Sequence, residues 1–313
     1  MALKVRKAVS RVVPKRRVSP PGKRGLIVPF FGPAARRRRA APLAQRSPFI
    51  VESGDLVVRL AQTDADIDAA QALRFKVFYE EMTAQPSPAI AAAARDFDRF
   101  DPYCDHLIVL DRRLGSGSSA IVGTYRLMRR DAAARIGRFY TQDEYNIRKL
   151  LRGGRQILEL GRSCVHPDYR RHHTMQMLWR GIARYVTHYN VKLLFGCGSF
   201  PGADPEAHAL PLSYLHYEHL APLAVRPKAL RSRHVEMRRM AREDIDERKA
   251  LAALPPLIKG YLRLGGGVGD GAVIDAEFDT VDVCIVVRPD GVTDRYLRRY
   301  SRDGEVTREA LAS

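Results

Sequence analysis

Residues 157–173 read ILELGRSCVHPDYRRHH, and this stretch places a carboxylate and an arginine inside an apolar run with the length of a strand. Alternation along a strand puts Glu159 and Arg162 on opposite faces unless the backbone bulges between them. Gly161 lies between the two charged residues, and a glycine accommodates a β-bulge at the lowest cost. The stretch therefore predicts a strand over 157–165 with a bulge beside Gly161.

A bulge at this position would suit acyl transfer. It leaves a backbone N–H without a sheet partner, free to stabilise negative charge that develops on the carbonyl oxygen of an acyl substrate. The run HPDYRRHH then leads into the N-terminus of a helix, where free amides and the positive end of the dipole bind phosphate. Arg170, Arg171 and His172 add positive charge there. An acyl group beside a phosphate indicates a phosphopantetheine thioester.

Strand and helix patterns alternate through the rest of the chain, which predicts an α/β fold with a central mixed sheet flanked by helices. Thr63 and Asp66 have the spacing of a capping box at the start of one helix. The polar connection over 139–154 and the run over 244–264 are each predicted to be helical. The glycine-rich run over 264–275 is predicted to be a flexible turn, because it follows a helix and does not open one. Further strands are predicted over 55–61, 106–111, 120–129, 191–200 and 281–287, and further helices over 63–82, 174–190 and 211–222.

The basic charge is concentrated at the N-terminus. Fourteen Lys and Arg residues precede the first carboxylate, Glu52, although the whole chain has 53 basic and 35 acidic residues. Such a segment has too few apolar residues to fold, so residues 1–48 are predicted to be a disordered basic tail. A solvated extension, a contact with an anionic membrane surface, a nucleic-acid arm and a transit-like presequence all remain open for it. Residues 49–242 are predicted to form the acyltransferase core, and 243–313 a C-terminal subdomain packed on it.

Two further classes of protein are disfavoured, namely proteins that span a membrane and proteins that are held together by disulfides or structural zinc. No apolar run approaches the ~18 residues that a membrane-spanning helix requires. The four cysteines lie far apart without a CxxC pair, which indicates a reducing compartment and argues against a disulfide framework or structural zinc. His166, His172 and His173 lack the spacing of a convincing metal site.

Several runs together resemble the GNAT N-acyltransferase superfamily and, more closely, the bacterial L-ornithine Nα-acyltransferases that use 3-hydroxyacyl-acyl carrier protein. The resemblance to the L-ornithine Nα-acyltransferases extends over about residues 50 to 300. Some of the same residues also resemble those of acyl-homoserine-lactone synthases. The loop RRHHTM lacks the glycines with which many GNAT enzymes bind coenzyme A, and this favours acyl carrier protein as the donor. The matching runs are LRFKVFYEEM, FDPYCDHLIVLD, VGTYRLMR, FYTQDEY, ILELGRSCVHPDYR, LLFGCGSFPG, SYLHYEHLAP and LPPLIKGYLRLG.

The resemblance implies roles for particular residues. Glu159 is the first candidate for the base that takes a proton from the attacking amine, and Asp105 is the second. Glu159 could instead be a structural partner of Arg126 or Arg162, and Asp105 could be a strand-end cap. The arginines could likewise hold Asp and Glu partners in place of a substrate. Tyr214 resembles the tyrosine that protonates the departing thiolate in many GNAT enzymes. Cys164 could act as a nucleophile with His166 as its base, but a buried structural cysteine is the commoner arrangement. The residues expected to bind the amino acid are Arg74, Phe78, Arg126 and Arg162. The residues expected to bind phosphopantetheine or the carrier are Gly161, Ser163, Cys164, Val165, Arg170, Arg171 and His172.

The expected reaction transfers a 3-hydroxyacyl chain from acyl carrier protein to the α-amine of L-ornithine, which gives lyso-ornithine lipid. The co-substrate is then 3-hydroxyacyl-phosphopantetheine on the carrier, and no permanently bound cofactor is expected. The expected location is the bacterial cytoplasm, with the basic tail as a candidate contact to the inner membrane. The alternatives are another amino-acid N-acyltransferase, including an acyl-homoserine-lactone synthase, and a protein that binds nucleic acid through its tail. Acyl chain length and oligomeric state are not encoded in any recognisable pattern.

Overall fold

One mixed sheet organises residues 50–115, 117–170 and 173–289, which are the residues that the computed structural model describes. Its strands pair in the order β1-β2-β3-β4-β6-β7-β11-β10-β8-β5, and β9 pairs with β10 at the side of this path. Pairing is antiparallel except between β6 and β7 and between β10 and β8. The strands are β1 Val51–Ser53, β2 Leu56–Leu60, β3 Asp105–Asp111, β4 Ile121–Arg129, β5 Tyr145–Asn146, β6 Ile157–Val165, β7 Leu193–Pro201, β8 Lys228–Ala229, β9 His234–Val235, β10 Gly267–Asp275 and β11 Thr280–Val287.

Helices cover both faces of the sheet, as the alternating pattern predicts. On α1, the Thr63 hydroxyl accepts the Asp66 amide while the Asp66 carboxylate accepts the Thr63 amide, so the predicted capping box is present. This helix continues without a break into a π-helical segment, Lys76–Glu81. The α-helices are α1 Asp64–Phe75, α2 Pro88–Ala93, α3 Arg130–Ile136, α4 Arg148–Leu151, α5 His173–His188, α6 Ala209–Glu218, α7 Glu247–Ala253 and α8 Pro256–Arg263.

The two faces of the sheet bury different cores. On the α5 face, Tyr125, Leu127 and Leu160 pack with apolar residues of α5, α6 and α8. On the α1 face, Ile108 and Cys164 pack against α1, and further along the same face Met128 and Phe195 pack against residues of the 130–151 segment. Each strand residue can therefore be assigned to a face by its core partners.

The β6 and β7 strands diverge at the centre of the sheet. Their parallel pairing consists of Ile157 with Leu193, Leu158 with Leu194 and Glu159 with Phe195, and within the described residues it extends no further. A Cβ at Gly196, the next residue, would lie 2.1 Å from the Leu160 carbonyl oxygen. Glycine is thus required where the two strands begin to separate.

Three predicted elements take a different form. The run over 244–264 is two helices, because Pro255 and Pro256 lack amide donors and hold Leu254 in an extended conformation. The 139–154 connection contains a tight turn, β5 and one turn of helix instead of a continuous helix. The glycine-rich run is strand β10 and not a turn. Its glycines permit close contacts, since a Cβ at Gly271 would lie 2.4 Å from His234 Cδ2.

The C-terminal strands belong to the central sheet, because β11 pairs with β7 along its whole length. The division of the folded part at residue 243 stays a prediction. The predicted basic tail lies outside the described residues. In the described part of the chain, no helix combines the length and apolar character needed to cross a bilayer.

The close approach at Gly196 predicts a large difference between two glycine substitutions. Gly196→Ala should lower the free energy of unfolding by about 1–3 kcal/mol, because the methyl group must displace the Leu160 carbonyl. Gly161→Ala is the matched control, since a Cβ there meets no atom within 4 Å, and it should change stability by less than about 0.5 kcal/mol. Urea unfolding followed by circular dichroism measures the free energy of unfolding of both variants. Equal effects would show that glycine is not required at residue 196.

Candidate active site

The predicted bulge is present in β6, and it brings Glu159 and Arg162 onto the same face. Arg126 pairs with Gly161 and Thr124 with Cys164, so a step of two residues on β4 matches a step of three on β6. The left-handed residue is Arg162, with φ +52°, whereas Gly161 keeps an ordinary backbone conformation. The expectation that the glycine absorbs the bulge is therefore wrong in detail. The extra residue turns Arg162 to the α1 face, where Glu159 already points.

Glu159 holds the turn that follows α3. Its Oε2 accepts the amide of Tyr140 at 3.0 Å, and its Oε1 accepts the amide of Thr141 at 2.7 Å. The side chain is buried, and this burial raises the pKa of Glu159 while the Thr141 and Tyr140 donors lower it, with a net upward shift. Glu159 is therefore a buried carboxylate beside the bulge, whose hydrogen-bond partners are backbone amides and not arginines.

Arg74 and Arg126 are held by a group of aspartates from the segment before β3. Arg74 Nε donates to Asp96 Oδ2 at 2.6 Å, and its Nη2 donates to Asp101 Oδ1 at 2.8 Å. Arg126 Nη1 donates to Asp98 Oδ2 at 2.7 Å. The sequence analysis did not single out these aspartates, although the spacing of DFDRFD, three acids in six residues, was an available signal. Arg74 and Arg126 thus have acidic partners within the protein.

Arg162 differs from these two arginines in its surroundings. Its guanidinium lies over two aromatic rings, 4.9 Å from the centroid of Tyr140 and 4.6 Å from that of Phe278. Its ion pairs are longer, 3.3 Å from Nε to Asp96 and 3.4 Å from Nη2 to Asp98. Its side chain is 12% exposed, against 0% for Arg74 and 4% for Arg126. Of these three arginines, Arg162 is the most accessible to a ligand.

Phe78 supports this arrangement from the π-helical segment. Its ring meets Phe278 edge to face at 5.8 Å between centroids. The neighbouring Tyr79 donates to Asp96 Oδ1 at 3.2 Å. The structure therefore brings together Arg74, Phe78, Arg126, Glu159 and Arg162, and their roles in binding and catalysis stay predictions.

Asp105 and Tyr214 do not join this group. Asp105 pairs with Leu127 across the sheet and so shares its α5 face, where Asp105 Oδ2 accepts the Tyr185 hydroxyl at 2.5 Å. Asp105 therefore lies on the opposite face of the sheet from Glu159, and its role as the alternative base stays a prediction. Tyr214 lies in the core of the α5 face, 3.3 Å from Glu247 Oε1 and 3.1 Å from His219 Nε2.

The geometry does not favour a cysteine nucleophile. The Cys164 thiol is buried and donates to the Leu73 carbonyl at 3.7 Å, and burial raises its pKa to about 12. His166 Nε2 lies 3.2 Å from Lys76 Nζ, and its Nδ1 accepts the Asp168 amide. Neither side chain activates the other.

The predicted carrier-binding residues follow the bulge. Ser163 turns to the α5 face and hydrogen-bonds Tyr125, whose hydroxyl lies 2.5 Å from that of Tyr261. Arg170 forms a two-pronged ion pair with Glu81 and also donates to the Val165 carbonyl. Gly161, Cys164 and Val165 lie in β6, whereas Arg171 and His172 fall outside the described residues.

The bulge in β6 lies beside the point at which the pairing of β6 with β7 ends. The Acetyltransferase (GNAT) domain family matches residues 73–180, which include the end of α1, the strands that carry Arg126 and Arg162, and the first half of α5. The chain therefore contains a GNAT-type acyltransferase domain, and the predicted fold class and enzyme class are confirmed.

Comparison with curated proteins places the chain more narrowly. An L-ornithine Nα-acyltransferase of Rhizobium meliloti (strain 1021) is 47% identical over 272 residues, which cover 85% of this chain and 90% of the relative. One of Brucella abortus (strain 2308) is 47% identical over 253 residues, 80% of this chain and 90% of the relative. The chain belongs to the L-ornithine Nα-acyltransferase family. Among solved structures it is similar to FeeM, an N-acyl amino acid synthase from uncultured soil microbes, with TM-score 0.43, 8% identity and coverage of 80% of this chain and 98% of that chain.

The buried arginine predicts a specific stability defect. Arg74→Ala should lower the free energy of unfolding by about 3–5 kcal/mol, because it leaves Asp96 and Asp101 buried beside a cavity. Arg112→Ala removes an ion pair with Glu52 in which both side chains are 51% exposed, and it should cost less than about 1 kcal/mol. Chemical denaturation gives the free energy of unfolding of the two variants. A small effect of Arg74→Ala would show that Asp96 and Asp101 do not need Arg74 to compensate their buried charge.

Proposed function

We propose that this enzyme transfers a 3-hydroxyacyl chain from acyl carrier protein to the α-amine of L-ornithine and so forms lyso-ornithine lipid. The observation that carries the proposal is the bulge at Arg162 beside the divergence of β6 from β7. The names of relatives at 47% identity support ornithine as the acceptor. They favour this reaction over the synthesis of an acyl-homoserine lactone.

Arg162 is the proposed anchor for the carboxylate of the amino acid. A planar guanidinium binds a carboxylate with two parallel hydrogen bonds, and stacking against aromatic rings holds it in that orientation. Tyr140 and Phe278 supply the rings. Arg74 and Arg126 neutralise Asp96, Asp98 and Asp101 and thereby keep the binding face in place.

The acyl donor is proposed to enter between the diverging strands. Beyond Glu159 and Phe195 the edge of β6 is not paired to β7, so backbone amides around the bulge can donate to the thioester oxygen. Such donors stabilise the charge that develops on this oxygen when the amine attacks. Gly161, Ser163, Cys164 and Val165 would line the phosphopantetheine arm.

Glu159 is the proposed base. The α-ammonium group must lose a proton before its nitrogen can attack the carbonyl carbon, and a buried carboxylate with a raised pKa is suited to accept it, directly or through a water molecule. A carboxylate keeps free lone pairs after accepting two amides. Tyr214 is the proposed donor to the departing thiolate, and its raised pKa keeps the phenol protonated.

The proposed carrier contact is the basic surface after β6. Lys76 and Arg170 lie on it in the described structure, and Arg171 and His172 follow in sequence. An acidic carrier protein would dock there by charge complementarity. The product's acyl chain favours a bilayer surface, and the basic tail is proposed to attach the cytoplasmic enzyme to the inner membrane.

The decisive experiment incubates the purified full-length protein with 3-hydroxyacyl-acyl carrier protein and single amino acids, and detects N-acyl products by mass spectrometry. L-Ornithine should give the product, whereas S-adenosylmethionine should give no acyl-homoserine lactone. A parallel reaction with 3-hydroxyacyl-coenzyme A tests the donor. Acylation of S-adenosylmethionine in place of ornithine, or turnover with the coenzyme A thioester alone, would overturn the proposal.

Substitution of Arg162 tests the carboxylate anchor. Arg162→Lys should raise KM for ornithine about tenfold or more, because an ammonium group cannot form the two-pronged contact or stack on the rings. KM for the acyl donor should stay the same. Arg113→Lys, at a side chain that is 65% exposed and paired with Asp111, is the control. An unchanged KM for ornithine in the Arg162 variant would exclude this role.

The pH profile tests Glu159. A base acts only when deprotonated, and burial raises the pKa of Glu159, so kcat should fall as the pH drops through a value above the usual range for glutamate. Glu159→Gln should lower kcat by about 10²–10⁴-fold and remove this acidic limb. Glu52→Gln, on the exposed β1 strand, should leave the profile unchanged. A Glu159→Gln variant that kept the limb would assign the titration to another group.

A further inference from the structure

The α1 face is open over part of β7, although β7 lies in the interior of the sheet between β6 and β11. Cys197 is partly exposed there and Ser199 is exposed, while Phe195 on the same face is buried. Side chains on interior strands of a sheet with helices on both faces are normally covered. The exposed positions follow the point at which β6 leaves β7. They therefore form the floor of a cleft that continues from the bulge.

Two carboxyl groups lie at this floor. Asp282 pairs with Ser199 across β11 and β7, so its side chain shares the same face. Glu144 comes from the turn that Glu159 holds, and its Oε2 accepts the Cys197 thiol at 3.1 Å. Ligand atoms of Glu144, Cys197 and Asp282 all lie within 4.8 Å of one another. The two carboxyl groups are thus neighbours at one end of the cleft.

Neither carboxyl group has a cation as a direct partner among the described residues. Asp282 accepts the Thr280 hydroxyl at 2.8 Å, and Glu144 accepts the Cys197 thiol. The side chains are only 5% and 2% exposed, respectively. Burial together with the Asp282 charge raises the pKa of Glu144 to about 8, and burial raises that of Asp282 to about 6. Arg233 acts on Glu144 and Arg162 acts on Asp282 without forming a direct ion pair, and a bound ammonium group would offset the remaining cost of burying the two acids.

The sign of the charge changes along the cleft. Arg162 lies at the bulge, close enough to Asp282 for its positive charge to act on that carboxyl group. Asp275 also acts on Asp282 and Glu144 and adds negative charge at their end. A carboxylate at Arg162 and a cationic side chain directed toward Asp282 would match this polarity. An α-amino acid with a second ammonium group has this distribution of charge.

We propose that Asp282 and Glu144 bind the side-chain ammonium of the acceptor and so select a diamino acid over a neutral one. This inference rests on the proposed function, because it assumes that Arg162 holds the carboxylate of the same molecule. The exposed Ser199 hydroxyl and the Cys197 thiol complete the polar lining. Selectivity would then come from β11 and the turn before β5, and acylation from the bulged strand.

A divalent cation is the rival occupant of the same three side chains. It would need the thiolate of Cys197, but burial and the neighbouring Glu144 charge raise the pKa of that thiol well above its usual value. An ammonium group requires no deprotonated thiol. The protonated thiol therefore favours an ammonium group over a metal ion at this site. The test below includes a check for metal dependence.

The test uses direct competition between L-ornithine and L-norvaline, which has the same carbon chain without the side-chain amine. Both are supplied in one reaction with 3-hydroxyacyl-acyl carrier protein, and mass spectrometry gives the product ratio, which equals the ratio of kcat/KM values weighted by concentration. This ratio does not depend on how much of the enzyme is folded. Asp282→Asn should reduce the preference for ornithine by about thirtyfold or more, chiefly through a lower kcat/KM for ornithine.

Asp270→Asn is the matched control, because Asp270 lies on the adjacent strand β10 and pairs with the exposed Lys228. It should leave the ratio unchanged. Glu144→Gln provides a second variant if Asp282→Asn does not fold, and it should shift the ratio in the same direction. An unchanged ratio in both variants, or loss of the ornithine preference on treatment with a chelator and its return with zinc, would overturn the inference.

The outcome is separable from that of the proposed function. If the unmodified protein acylates neither amino acid, the proposed reaction fails. If it acylates ornithine and the variants keep the preference, the reaction stands and only the assignment of Asp282 and Glu144 is wrong. Retention of norvaline turnover in Asp282→Asn shows that the acyl-transfer machinery is intact.

Discussion

One extra residue in β6 is the constraint on which the rest of the site depends. At Arg162 the backbone adopts a left-handed conformation that costs about 1–2 kcal/mol for a residue other than glycine. The contacts of the guanidinium with the rings of Tyr140 and Phe278, together with its ion pairs to Asp96 and Asp98, offset this cost. The strained backbone turns the arginine to the same face as Glu159, in the strand that then diverges from β7. Substrate contact and strand geometry are therefore coupled through a single residue.

The charged groups around this residue divide into supporting and accessible members. Arg74 is fully buried and connects α1 to Asp96 and Asp101 in the segment before β3. Arg126 connects β4 to the same segment through Asp98. These ion pairs join α1 and β4 to the segment before β3 without requiring a ligand. Arg162 has longer ion pairs and a more exposed side chain, and a substrate can contribute to binding there.

The sequence allowed the strand, its bulge and most of the flanking helices to be predicted, because each has a local signal. An apolar run interrupted by charge and glycine indicates a bulge, and Thr63 with Asp66 indicates a helix start. Residues brought together by distant segments have no such signal. The face on which Asp105 lies depends on its pairing with Leu127, which no local pattern specifies. The contact of Glu144 with Cys197 likewise joins residues 53 positions apart in the chain. Pro255 and Pro256, by contrast, carried a local signal for a helix break that the apolar periodicity around them obscured.

The position of β11 has a consequence for biosynthesis. The strand is near the end of the described chain, yet it lies inside the sheet, between β7 and β10. Until residue 287 has left the ribosome, β7 remains an unpaired edge whose backbone groups can pair with another nascent chain. Phe278 and Asp282 reach the cleft only at that stage. A prematurely released polypeptide therefore lacks both the completed cleft and protection against strand exchange.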